Sequence, residues 1–97
     1  MKPVIDISSW QAPTAMNYDT LSQQIDGVII RVGIGTNKDY HFERHYQEFH
    51  SRGKKIGFYH VPVNDNPQAQ ADMVKAAISG KTNEHGFWAD VEASYQS

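Results

Sequence analysis

The stretch "GVIIRVG", residues 27–33, is an almost unbroken apolar run of β-branched side chains, interrupted by Arg31. Such residues fit a pleated strand. A strand that is apolar along its length, without alternation, is one covered on both faces, as in a parallel sheet. Three more segments read as strands around it: "VIDIS" (4–8), "KIGFYHVPV" (55–63) and "FWADVE" (87–92). Helical patterns separate them. Over 41–52, Phe42, Tyr46 and Phe49 fall at i, i+4 and i+7, and Gly53 follows as a C-terminal cap. Over 67–79, Asn66 and Pro67 mark a start, Ala69, Met73, Ala76 and Ala77 form the apolar side, and Gly80 closes the helix. A weaker helical signal covers 17–24. Strands alternating with helices imply parallel strands joined by crossovers. The expected fold class is α/β: a partial (β/α) barrel of about four parallel strands with intervening helices. At 97 residues the chain makes one small domain, residues 1–97, with no repeat or linker.

Composition narrows the function. The net charge is −2 with acids and bases interspersed, so there is no basic footprint for nucleic acid. No apolar run approaches the length of a membrane span. There is no cysteine, hence no disulfide or thiolate chemistry. "MKPVIDISSW" lacks the apolar core of a signal peptide, which leads to the expectation of a protein made in the cytoplasm.

Side chains alternate along a strand. In the first strand Ile5 and Ile7 share one face and Val4, Asp6 and Ser8 the other. In the last, Trp88, Asp90 and Glu92 share the face opposite Phe87, Ala89 and Val91. Parallel strands bring Asp6, Arg31, Asp90 and Glu92 towards one end of the sheet, the C-terminal end, where α/β barrels place their active sites. Asp90 and Glu92 are roughly 6.5 Å apart along the backbone, from a rise of about 3.3 Å per residue. Both carboxyls then reach one sugar ring. Neighbouring acids in a partly dry site do not ionise independently, which leaves a proton donor beside a carboxylate, the requirement of glycosidic cleavage. A purely structural alternative is that these acids pair with Arg31. Trp10 and Trp88 either stack on sugars or fill core. On the far side of the sheet, Val32, Phe58 and Trp88 are expected to face water, an invitation to a partner.

Taken in series, "VIDISSWQ", "GVIIRVGIGTNKDYHFERHYQEFHSRGKKIGFYHV" and "WADVE" resemble the muramidases of glycoside hydrolase family 25, over almost the whole chain. The resemblance implies hydrolysis of the β-1,4 bond between N-acetylmuramic acid and N-acetylglucosamine in peptidoglycan, without a cofactor. By position, Glu92 matches the general acid, Asp90 the carboxylate that steadies the N-acetyl group or the charge at the anomeric carbon, and Asp6 the acid lining the cleft floor. Tyr59 in "FYHVPV" matches a cleft tyrosine. Arg31, Trp10 and Trp88 complete the candidate substrate-binding set. The Asp-x-Glu arrangement fits assistance by the substrate's own acetamido group. Family domains continue through further strands, so this chain resembles the N-terminal half. Four strands do not close a barrel of about eight. Self-association or a complementing C-terminal half would cover the open side. A phage endolysin, reaching the cell wall after holin-type release, is the setting the resemblance implies. The rival reading is a non-catalytic peptidoglycan-binding or regulatory half-barrel that associates with itself or with a full-length lysin.

Other motifs point elsewhere only weakly. His41 and His45 are four apart on a helix, but "HFERH" is not a zinc motif and no third ligand follows; they read as a solvated helix face, with no metal. "VGIGT" lacks the third glycine of a dinucleotide loop, since Lys38 stands there, and reads as a tight turn. Ser8 and Ser9 lack a nucleophile elbow and read as hydrogen-bonding groups at a strand end. "Tyr40-His41-Phe42" reads as the opening and anchor of a helix.

Overall fold

A computed structural model of the chain describes residues 2–89. It contains β1 (Val4–Ile7), α1 (Tyr18–Gln24), β2 (Gly27–Ile34), β3 (Asn37–Lys38), α2 (Phe42–Ser51), β4 (Lys55–Val61), α3 (Pro67–Ile78) and β5 (Gly86–Ala89), with a 3-10 turn at Pro13–Ala15. β1, β2, β4 and β5 form a parallel sheet in that order, with β1 and β5 at its edges among the described residues. The sequence-based architecture is therefore the observed one, with one addition: β3 folds back antiparallel on the end of β2. Gly35 turns the chain there at φ 60°. Gly33 has no alternative residue, because a Cβ at that position would lie 2.2 Å from the Asn37 carbonyl oxygen. The glycines of "VGIGT" thus serve a turn and a close crossing.

The helices lie on one face of the sheet. Ile5, Ile7, Val28, Ile30, Val32, Ile56 and Phe58 point into them and pack with Phe42, Phe49 and Tyr18. Phe42 meets Phe58 at 5.6 Å between ring centres, and Tyr18 meets Phe49 edge-on at 5.3 Å. Each of these phenylalanines removes enough apolar surface from water to contribute about 2–3 kcal/mol. Register explains a difference from expectation. Phe58 pairs with Ile30, so it and Val32 belong to the helix-covered face and are fully buried. Trp88 pairs with Tyr59 on the other face and is more than half exposed.

Helix ends follow the sequence closely. α2 closes with Gly53 at φ 73°, whose N–H donates to the His50 carbonyl, while the Lys54 N–H donates to that of Phe49. This double bond pattern satisfies carbonyls that a helix end leaves open. The Asn66 side chain accepts from the Ala69 N–H (3.1 Å) and Pro67 occupies the first turn of α3. The buried face of α3 is rotated from the expected one: Gln70, Val74 and Ala77 are buried and Ala76 is exposed. Gln70 is inside because its amide holds the loop after β4, donating to the carbonyls of Val63 and Asp65 and accepting from the Val63 N–H.

The solvated-face reading of α2 is corrected at His45, which is fully buried. It lies three residues after Phe42, on the same stripe. Its Nε2–H donates to the Ser8 carbonyl (3.1 Å), which leaves Nδ1 to accept from the Tyr18 hydroxyl (2.9 Å). Burial holds the imidazole's pKa below its ordinary value, so the neutral ring suits the site. No described helix is long and apolar enough to cross a membrane.

Candidate active site

Strand pairing places the candidate site residues. Arg31, Tyr59 and Trp88 stand side by side in one row across β2, β4 and β5. Asp6, Ile29, Gly57 and Gly86 form the row beneath. Both rows lie on the face away from the helices, and Gly86 leaves open space at its place in the lower row. With strands about 4.8 Å apart, the upper row spans roughly 10 Å, enough for a pyranose ring. Asp6 is exposed, Tyr59 is half-buried, and the Trp88 indole N–H donates to the His85 carbonyl (3.1 Å). The His85 ring packs over Gly27 on this face, and the His85 Cβ and backbone cover Gly57.

Arg31 is engaged by a residue that sequence reading passed over. Its Nε donates to both oxygens of Asp39 (2.8 and 3.0 Å), and the two side chains are 12% and 5% exposed. The same carboxylate accepts the Ser9 N–H (2.9 Å), and the Ser9 hydroxyl accepts the His41 N–H (3.0 Å). The Ser8 hydroxyl accepts the Trp10 N–H (3.2 Å). The serines are hydrogen-bonding groups at a strand end, as their sequence suggested. Together these bonds join the loop after β1 to the loop after β3 at the rim of the open face. The signal available in sequence was an arginine inside an apolar strand, for which Asp90 and Glu92 were the partners considered and Asp39 was not.

Trp10 is a rim residue, not core, at 85% exposure. Tyr40 is 90% exposed, so the buried Phe42, and not Tyr40, anchors the start of α2. Asp90 and Glu92 lie outside the described residues; β5, described as far as Ala89, leads directly into them. No group of three potential metal ligands occurs among the described residues. A separate apolar groove of about 420 Å³ lies on the helix side, between α3 and β5, lined by Pro62, Val63, Val74, Ile78 and Phe87.

The model of glycosyl hydrolases family 25 matches residues 5–97. The chain belongs to glycosyl hydrolase family 25. Among solved structures, it is similar to GHIP, a glycosyl hydrolase 25 virulence factor of Streptococcus pneumoniae, at 32% identity and a TM-score of 0.87, covering 99% of this chain and 48% of that one. It is also similar to the catalytic domain of the endolysin ply40 from bacteriophage P40 of Listeria monocytogenes, at 27% identity and 0.80, covering 100% and 51%. A muramidase from Trichobolus zukalii matches at 30% identity and 0.65, covering 78% and 38%. This family 25 chain thus spans about half the length of GHIP and of the ply40 catalytic domain. Comparison with curated proteins gives no match. The matched region corresponds to the N-terminal part of the family domain.

Proposed function

We propose that this chain is the N-terminal half of a peptidoglycan hydrolase, cutting the β-1,4 bond between N-acetylmuramic acid and N-acetylglucosamine. The observation that carries the reading is the open face, on which Asp6, Tyr59 and Trp88 stand together in a family 25 chain. In this reading Glu92 gives its proton to the leaving glycosidic oxygen. Asp90 steadies the positive charge that develops at the anomeric carbon or the acetamido group that answers it. Asp6 adds negative potential at the cleft floor. Tyr59, Trp88 and Trp10 contact the glycan, and Arg31 acts through Asp39 to hold the rim. No cofactor takes part.

The edges of the sheet support the second element of the proposal, a covering partner. Val4 on β1 and Phe87 and Trp88 on β5 are exposed apolar residues at those edges. In a barrel each strand is followed by a helix on the outer layer, and the groove beside Phe87 has the place of such a helix. The partner is a complementing C-terminal half or a second copy of the chain. The setting is endolysin-like: a product made in the cytoplasm that meets the cell wall through holin lesions.

The test is digestion of purified peptidoglycan by the chain and by Glu92→Gln. Wild type should create new reducing N-acetylmuramic acid ends, and the variant should lose about a hundredfold or more in rate, the scale of a general acid. Equal rates, or reducing N-acetylglucosamine ends, would refute the assignment. Glycan binding without any cleavage would favour the non-catalytic half-barrel, a reading to which the open sheet edges also lend support.

A further inference from the structure

Trp10 and Tyr40 are the most exposed of the large apolar and aromatic side chains among the described residues, at 85% and 90%. Single exposed aromatics are ordinary on protein surfaces. These two differ in how they are mounted. Each lies next to a residue that ties the two rim loops together. Ser9 donates its N–H to Asp39 and accepts from the His41 N–H, and Asp39 is fixed in turn by Arg31. The Trp10 N–H is held by the Ser8 hydroxyl, and the Tyr40 ring meets His41 edge-on at 4.8 Å. Rings presented on a tied backbone lose little freedom when they bind something.

The surroundings specify what that is. Arg31 is paired with Asp39, and Lys38 shares the Glu43 carboxylate with Lys81. Each of these cations already has a carboxylate partner, and the nearly buried Arg31 is paired to both oxygens of Asp39, so the rings present apolar faces that suit an uncharged ligand better than a polyanion. A pyranose has that character: its axial C–H bonds form an apolar face that lies flat on an aromatic ring, while its hydroxyls stay in water. We infer that Trp10 and Tyr40 form an outer saccharide subsite for N-acetylhexosamine units of the strand beyond the reacting pair. This rests on the glycan-strand reading above and deepens it by giving the cleft a direction, across β1 and the β2–β3 hairpin. Asp39 is the positioning residue that sets both rings.

The test is titration calorimetry of chitohexaose and of chitobiose into the 97-residue chain, Trp10→Ala, Tyr40→Ala and Tyr40→Phe. Circular dichroism confirms that each variant folds. Each alanine variant should weaken chitohexaose binding about tenfold, the loss typical of a contributing interface aromatic. Tyr40→Phe, which keeps the ring, should stay near wild type, and chitobiose affinity should be nearly the same in all four proteins. Unchanged chitohexaose affinity in both alanine variants would overturn the outer subsite and leave the hydrolase reading standing. An equal loss for both lengths would also overturn it, since the rings would then belong to the central cleft. A wild-type chain that binds neither sugar would contradict the glycan-strand reading itself, and the subsite with it.

Discussion

Replacing Asp39 with alanine would leave the Arg31 guanidinium nearly buried without its counter-charge and release the Ser9 N–H. Breaking one side of a buried pair costs about 3 kcal/mol, so Asp39→Ala should lower the denaturant midpoint accordingly. A midpoint within error of wild type would show that the pair is not what holds the rim. His45 gives a pH dependence whose sign is fixed by burial. Its folded pKa lies below the unfolded value of about 6.5, so the unfolded chain binds more protons in the interval between them. Its contribution is fully present above about pH 6.5 and is lost as pH falls towards the folded pKa. A melting profile in which His45→Gln removes that acid-side decline would confirm it; an identical decline in the variant would assign the effect elsewhere. Asp6 was legible in the sequence because strand alternation alone fixes its face. Asp39 was not, because its pairing with Arg31 depends on a hairpin that brings together residues eight positions apart.

At the scale of elements, the local signals were strong. Asn66, Pro67 and Gly53 sit where caps need them, and Asn66→Ala should cost about 1 kcal/mol through loss of the bond to the Ala69 N–H. A change of only a few tenths in a urea titration would mean that water replaces the cap. Gly33→Ala should cost about 2 kcal/mol, since its Cβ would collide with the Asn37 carbonyl and force β3 away. The sharper readout is local: amide exchange at Asp39 should accelerate more than exchange in α3. Uniform acceleration would make the glycine a global rather than a hairpin constraint. The sequence could not show β3, a two-residue strand with both residues exposed, because no apolar pattern marks it. Nor did helical periodicity reveal which flank of α3 faces inward. That was settled by Gln70, a polar side chain drawn inside by three loop hydrogen bonds.

For the whole molecule, the parallel order β1-β2-β4-β5 followed from the alternation of strands and helices, and it is the order that sets Asp6, Tyr59 and Trp88 on one face. What lies beyond β1 and β5 does not follow from local pattern, since pairing partners of an edge strand are set by surfaces outside the segment. With apolar residues exposed at both edges, the chain in solution should scatter light as an assembly of more than one copy. A monodisperse single-chain particle that still digests peptidoglycan would remove the need for a covering partner. The most direct test of the central claim, that one face of the parallel sheet gathers the acids around a sugar, is a crystal structure of the chain with a bound chitohexaose. One pyranose should lie over Tyr59 and Trp88 with the carboxyl groups of Asp6, Asp90 and Glu92 around it. A sugar seated elsewhere, or the Glu92 carboxyl on the helix-covered side of the sheet, would contradict it.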